Sequence, residues 1–534
     1  MGSLRLILMK PSQFPWLVAM LFIAALVSPA PAADHKPPNI LFILADDQSY
    51  KTVGCYPESW PWVKTPNIDA LAASGVRFQG AYLGSWCMPS RAALLTGHWP
   101  HAIESMRMAG KYPDSTYDPE QCPFWPKVFR EHGYQTAQIG KWHTGEDAGW
   151  GRDWDYQMVW NRPKHPENAG AYYTDEIIAA NGEEQTVPGY PADNYNKWAC
   201  DYIRGAHRDP QKPWYLWLCY GNIHGPSIPP ARDKGKYKDA TVPEPADILP
   251  PRPGKPDYLN LTQAWARAQD GHIVSAAGGG EGSEDGKAGS VQGAGKPGKK
   301  KKGFEDWVRQ VNECMPVVDD GVGQLIAALR ETGQLENTLV VYSADQGFAM
   351  GEHGCRMKVA PYDANYRSPF IVSMPGTVAT GKVCPQVVSS VDLITTFFAF
   401  AGLEQPWKMH GRDITPLLRD PAMAWPYPCL YEHTGETYGK DVGKILRNKP
   451  QKAEHQHVPW YDAVVQDGWK YIHYLRAGEI EELYDLRKDP EELTNLASAP
   501  DQKERLEKLR AVLLEELHRT DASYADSLGL APAK

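Results

Sequence analysis

Four separated stretches of the chain share one pattern, an apolar run of strand length that ends in polar residues able to do chemistry. Asn39 to Ala45 runs into Asp46-Asp47, Thr136 to Gly140 into Lys141-Trp142-His143, Trp214 to Tyr220 into Asn222 and His224, and Thr338 to Ser343 into Asp345-Gln346-Gly347. After Asn39 the first run is apolar at every position, as a parallel strand covered on both faces requires. In open α/β sheets, ligands bind beyond the carboxyl ends of the strands. The pattern predicts an α/β fold, a large and mostly parallel sheet flanked by helices, whose strand ends build one shared site.

Adjacent carboxylates such as Asp46 and Asp47 are costly to bury without a cation. A solvated surface turn is the other reading. With Asp345 and the amide oxygen of Gln346 they form a set of hard oxygen donors, which suits calcium, with magnesium the nearest competitor and zinc disfavoured.

A further constraint is the stretch Cys87-Met88-Pro89-Ser90-Arg91-Ala92-Ala93-Leu94-Leu95-Thr96-Gly97. Pro89 suits the first position of a helix, where its missing N–H costs nothing, and Ala92 to Leu95 are good helix formers. Cys87 should therefore lie at a helix N-terminus, where unpaired amides and the dipole favour an anion. Arg91, one turn on, offers a fork of donors able to hold an alkoxide. A buried structural thiol before an amphipathic helix is the alternative for an isolated cysteine.

The full stretch resembles the signature of the type I sulfatases, C-x-P-S-R followed by L-L-T-G, in which the cysteine is oxidised after synthesis to formylglycine. Gly140-Lys141-Trp142-His143 resembles the family's G-K-W-H, and Asn222-Ile223-His224-Gly225-Pro226 the segment carrying its leaving-group histidine. Asp345-Gln346-Gly347 resembles its second metal motif, and Gly351-Glu352-His353-Gly354 with Lys358 the G-E-H-G and sulfate-binding lysine of carbohydrate sulfatases. The order along the chain matches.

The resemblance implies an alkaline phosphatase-like fold, a calcium ion on Asp46, Asp47, Asp345 and Gln346 with an oxygen of modified Cys87 completing the shell, and hydrolysis of a sulfate ester. One hydroxyl of the hydrated aldehyde would attack sulfur and the other would expel sulfate. Lys141 and Lys358 would neutralise charge on the transferring group, His224 would protonate the departing alcohol, and His143 would take the proton of the second hydroxyl. His353 and Arg356 are candidate substrate contacts beside Lys358, and His101 and Arg107 are further candidates after the signature helix. A sulfated poly- or oligosaccharide is the expected substrate, and a formylglycine-generating or equivalent maturase an expected partner. The alternatives are an aryl sulfatase, a phosphate or phosphonate monoester hydrolase on the same fold, and an inactive glycan-binding protein.

Arg5 and Lys10 precede an apolar run from Trp16 to Val27 that ends near Ala30-Pro31-Ala32, the form of a signal peptide over residues 1–33. The run is shorter than the roughly 20 residues of a membrane-spanning helix, so export to the periplasm or exterior without a stable membrane anchor is expected. Nine cysteines are present; conversion of Cys87 leaves an even set, which allows disulfides without specifying their pairing. The net charge of −9 argues against nucleic acid as a partner and leaves capture of a sulfated substrate to a local cation cluster.

Within an expected catalytic domain over 34–410, residues 276–303 turn to Gly, Ser, Lys and Glu and should form a surface insertion. From 411 to 534, short alternating segments precede Leu506, Leu509, Leu513 and Leu517 at helical spacing. They resemble the family's C-terminal subdomain, a small antiparallel sheet with a closing helix. Much of 144–210, rich in Trp, Tyr, Asn and Asp, falls outside the resemblance and is a candidate for substrate selectivity.

Overall fold

The computed structural model of the protein describes residues 36–104, 106–108, 115–118, 123–276 and 303–530. The expected signal peptide lies outside these residues, as does the low-complexity tract apart from its two end positions.

The large sheet is built from β1 (Asn39–Ala45), β2 (Val76–Tyr82), β3 (Gln135–Trp142), β4 (Tyr156–Asn161), β5 (Glu176–Ala180), β6 (Glu183–Val187), β7 (Trp214–Cys219), β8 (Thr338–Ala344), β9 (Arg367–Ser368), β10 (Phe370–Ser373) and β11 (Lys382–Ser389). Their spatial order is β9-β2-β10-β8-β1-β7-β3-β4-β5-β6, with β11 also on β2. The centre, β8-β1-β7-β3-β4, is parallel throughout. The flanks turn antiparallel at β10 and at β5 and β6. The four strands that end in polar clusters are thus neighbours, β8-β1-β7-β3, running the same way.

Helices cover both faces: α1 (Pro66–Ala73), α2 (Cys87–Thr96), α3 (Pro191–Ile203), α4 (Phe304–Asn312), α5 (Pro316–Glu331) and α6 (Ser390–Ala401). Alternate residues of β1 feed opposite cores. Leu41 and Ile43 pack with residues of α1, α3 and α5, such as Leu71, Tyr202 and Leu325, while Phe42 and Leu44 pack with Leu94 of α2 and Phe397 of α6. Every residue of β1 is buried, which is why its sequence shows no polar alternation.

Prolines interrupt two elements. Residues 304–330 form two helices rather than one, because Pro316 lacks the N–H and its ring would clash with the preceding turn; it stands instead in the first turn of α5. Pro369 separates β9 from β10. In α6, by contrast, a reciprocal Ser389–Asp392 capping box starts the helix, and Gly402 at φ 67° ends it.

The C-terminal portion forms the expected small antiparallel sheet, β12 (Cys429–His433), β13 (Tyr461–Gln466), β14 (Trp469–Tyr474) and β15 (Glu482–Asp485), in that order. The closing helix α7 (Lys503–Arg519) buries Leu506, Leu509, Leu513 and Leu517. This sheet packs beside the signature helix: Tyr431 stacks on Tyr82 at 4.7 Å, and Trp86, just before Cys87, donates its indole N–H to the Gly435 carbonyl at 3.2 Å. His101 is part of this junction. Its backbone N–H donates to Glu432 at 2.9 Å, its Nδ1 pairs with the same carboxylate, and its Nε2 lies 2.8 Å from the Thr520 carbonyl. These contacts tie the turn after α2 to β12 and to the end of α7. Arg107 lies in a short strand, Met106–Met108, and its side chain is outside the described set.

No disulfide joins any two of the eight described cysteines, and Cys122 lies outside them. No helix among the described residues is long and apolar enough to cross a membrane.

Candidate active site

β1 delivers Asp46 and Asp47, and the chain leaves the strand through Asp47 at φ 57°, a left-handed conformation that a non-glycine residue adopts at some cost. The turn is tied to its neighbour: Asp46 N–H donates to the Asn222 carbonyl at 2.7 Å and Ile223 N–H to the Asp46 carbonyl at 2.8 Å. It also reaches β8, since Asp47 N–H donates to Asp345 Oδ1 at 3.2 Å. Asp46, Asp47 and Asp345 offer carboxylate oxygens that all lie within 4.8 Å of one another, and all three residues are buried.

Cys87 is the first residue of α2 and is completely buried. Its thiol donates to Asp46 Oδ1 at 3.2 Å. Side-chain donors around the sulfur include Lys358 Nζ at 3.2 Å and Lys141 Nζ and Gln346 Nε2 at 3.4 Å each. Lys141 also pairs with Asp46, and Lys358 spans both oxygens of Asp47 at 2.9 and 3.0 Å. Segments hundreds of residues apart thus meet around one sulfur atom.

Burial is the strongest influence on these charges. It pushes the Asp345 carboxyl up, to about 7, and Asp46 adds to this against the attraction of Arg91 and Lys141. For Asp46, burial acts in the same direction but Lys141, His224, Arg91 and Lys358 outweigh it and hold the carboxyl well below the usual range. The Cys87 thiol is driven well above its ordinary value by burial and then by Asp46.

Arg91 is fully buried and its fork is engaged. Nε and Nη2 donate to Asp345 Oδ2 at 3.0 and 2.8 Å, and Nη1 donates to the Lys141 carbonyl at 3.1 Å. The donors expected to meet an alkoxide at residue 87 are turned to Asp345, so Arg91 positions that carboxylate. Gln346 also departs from expectation. Its amide nitrogen faces Asp47, and its oxygen accepts from Ser90 Oγ at 3.3 Å. A carboxylate neighbour favours the donor end; a cation would favour the oxygen, which a half-turn of the amide presents.

His224 follows β7, with Nδ1 2.7 Å from the Gly225 carbonyl. That contact requires an N–H at Nδ1. Nε2 is left facing the site, 3.4 Å from Lys358 Nζ and 3.4 Å from Asp47 Oδ2. His143, buried after β3, has the Arg162 guanidinium 3.2 Å from Nδ1.

His353 is turned away to another partner. Its backbone N–H and Nδ1 contact Asp247 at 2.9 and 2.8 Å, and its ring lies 4.0 Å from Tyr362. The backbone N–H and Nδ1 of His353 are thus engaged by Asp247. Arg356 lies over the Trp307 ring at 4.8 Å, and Trp307, Phe348, Ile223 and Ser227 line a pocket that reaches Asp47. Trp307 carries no strand-end or motif signal, whereas Phe348 directly follows Asp345-Gln346-Gly347. Tyr172 and Arg162, which also touch the site, escaped sequence reading because they lie in the portion outside the resemblance.

The sulfatase family profile matches residues 38–403, and that of the N-sulphoglucosamine sulphohydrolase C-terminal domain matches 351–520. The chain belongs to the sulfatase family. As a sulfatase it is a sulfuric ester hydrolase, and its relatives extend along almost its whole length. The N-acetylglucosamine-6-O-sulfatase of Bacteroides thetaiotaomicron is 26% identical over 97% of this chain and 92% of its own. The Delta 4,5-hexuronate-2-O-sulfatase of the same organism is 27% identical over 94% of this chain and 92% of its own.

Among solved structures, an enzyme in complex with its substrate D-glucosamine-2-N,6-O-disulfate superposes with a TM-score of 0.75 at 24% identity, covering 92% of this sulfatase and 99% of that chain. A phosphonate monoester hydrolase of Agrobacterium radiobacter shares the fold at a TM-score of 0.63 and 21% identity, covering 90% and 96%. The architecture is thus common to enzymes acting on different tetrahedral esters, and chemistry has to be argued from the site.

Proposed function

We propose that this sulfatase hydrolyses sulfate esters on a poly- or oligosaccharide, using a formylglycine made from Cys87 and a divalent ion, calcium by its donor set. The observation that carries this reading is the surroundings of Cys87: a buried helix-start sulfur with Lys141, Lys358 and Gln346 donors and the Asp46 carboxylate all within 3.2–3.4 Å. The carbohydrate assignment draws on the relatives that act on sugar sulfates.

The residues fit a hard divalent cation. Three buried carboxylates converge with their oxygens within 4.8 Å; Lys141, Lys358 and Arg91 each pair with one of them, and the convergence of hard oxygen donors is what suits such an ion. Asp46, Asp47, Asp345 and the turned amide of Gln346 would hold the ion, which would polarise a sulfate oxygen as a Lewis acid. Hydrated formylglycine would supply two hydroxyls on one carbon, one for attack on sulfur and one for release of sulfate.

The chain's own groups do the rest. Lys141 and Lys358 neutralise the oxygens of the transferring group from fixed positions, so little reorganisation accompanies the reaction. His224, with Nδ1 committed to Gly225, carries a proton at Nε2 toward the departing alcohol, and His143 accepts the proton released when the sulfated residue collapses. Arg91 keeps Asp345 in place. Export, the catalytic and C-terminal portions meeting near residue 410, and dependence on a maturase belong to the same proposal.

Mass spectrometry of the Cys87 peptide, together with sulfate release from a panel of sulfated sugars, tests it. The expected results are an aldehyde or its hydrate at residue 87 and turnover that Cys87→Ala abolishes. Full activity of Cys87→Ala would refute it. Phosphate esters run alongside separate it from the phosphonate-type reading.

A further inference from the structure

Tyr172 is buried, and its ring lies flat on that of His224, with centroids 4.1 Å apart and planes 5° from parallel. Its hydroxyl is 3.3 Å from Lys141 Nζ, and the same ammonium sits 5.1 Å from its ring centroid. One side chain outside the four strand-end motifs therefore touches both the lysine paired with Asp46 and the imidazole beside Lys358 and Asp47.

The tyrosine is itself held. Trp160, near the end of β4, meets its ring edge-on at 4.7 Å and 79°, and the Arg162 guanidinium lies 4.9 Å from its centroid. Both of these anchors are fixed by the loop that follows: Arg162 Nε donates to the Ala169 carbonyl at 2.8 Å, and Trp160 Nε1 to the Asn168 carbonyl at 3.3 Å. Tyr173, next in the chain, donates its hydroxyl to the His224 carbonyl.

An imidazole fixed by one hydrogen bond can still rotate about that contact, because its ring torsion is broad. The Nδ1 contact with Gly225 sets one direction in the His224 ring, and the stack sets its plane. Together they determine where Nε2 points.

We propose that Tyr172 is a positioning residue for the leaving-group proton, stacking on His224 and contacting Lys141 so that Nε2 is aimed at the departing oxygen. The inference rests on the sulfatase reading of Cys87 and His224. It assigns a function to part of the Trp- and Tyr-rich segment over 144–210.

The test uses the matured full-length enzyme with Tyr172→Leu and Tyr172→Phe. Two esters are compared: 4-nitrophenyl sulfate, whose leaving group needs little protonation, and whichever sulfated sugar the wild type turns over fastest. A misdirected proton donor costs on the order of 100-fold, so Tyr172→Leu should lower kcat on the sugar sulfate by roughly 100-fold and on 4-nitrophenyl sulfate by less than about 5-fold. KM on the sugar ester should change by less than about 3-fold, since the contact acts on the transition state. Tyr172→Phe, which retains the stack, should recover most of the lost kcat.

Retained 4-nitrophenyl sulfate turnover shows that the leucine variant is folded. An equal loss on both esters, no loss on the sugar ester, or a phenylalanine variant no better than leucine would overturn the inference. A wild type that released sulfate from neither ester would overturn the sulfatase reading beneath it.

Discussion

The Arg91–Asp345 pair allows a stability test that needs no substrate. Both side chains are completely buried, and the guanidinium makes two contacts to one carboxylate oxygen at 2.8 and 3.0 Å. Removing one member of a buried pair leaves an uncompensated charge and costs about 3–5 kcal/mol. Melted at about pH 9, where a carboxyl at about 7 is ionised in the wild type, Arg91→Met should therefore destabilise by up to that amount. For a chain of 534 residues, a melting entropy of about 2.1 cal/mol/K per residue gives about 1.1 kcal/mol/K, so Tm should fall by up to about 3–5 °C.

Thermal melts followed by intrinsic fluorescence, in chelator so that no divalent ion compensates Asp345, would measure this. Adding Asp345→Asn to Arg91→Met removes the stranded charge and should return part of the lost Tm, as coupling within a contacting pair requires. A single variant within about 1 °C of wild type, or a double variant no more stable than the single, would refute the argument that Arg91 is the charge partner of Asp345.

Two other outcomes follow from the same coordinates. Chelation should lower both Tm and turnover, with calcium restoring them at lower concentration than magnesium; titration of the apo-protein with each ion, read by melting temperature, checks this independently of activity. In the C-terminal sheet, the buried Asp462 carboxyl is pushed up to about 8 by burial and then by Glu432, against the attraction of His101. A raised carboxyl keeps its full stability below the unfolded value and loses it as pH climbs toward 8, so Asp462→Asn, which keeps an acceptor for the Tyr524 hydroxyl, should stabilise by up to about 4 kcal/mol more at pH 8 than at pH 5. Melts across that range measure it, and a pH-independent difference would count against the assignment.

Much of the site was legible because it sits at the ends of periodic elements. The apolar runs marked β1, β3, β7 and β8, and Asp46, Lys141, His224 and Gln346 from those ends meet around Cys87. Pro89 and the helix formers after it placed Cys87 at a helix start, where α2 begins. Less legible was anything that depended on the direction of a side chain. Arg91 had several acceptors open to it from sequence alone, and Asp345, 254 residues away, takes its fork. His353 and His101 stood as site histidines by proximity in sequence; their partners, Asp247 and Glu432, were not readable there.

The amino-acid sequence by itself determined that β1, β3, β7 and β8 are strands with polar residues at their ends and that Cys87 opens a helix, because periodicity and local breakers record each residue's own burial and backbone. The order of strands was decided only by the tertiary structure. Placing β8, β1, β7 and β3 side by side brings four ends within about 15 Å at roughly 4.8 Å per strand, and no local pattern encodes that adjacency. The same holds for Tyr172, whose neighbours His224 and Lys141 come from two different strand ends: contacts of that kind exist only once the sheet is assembled.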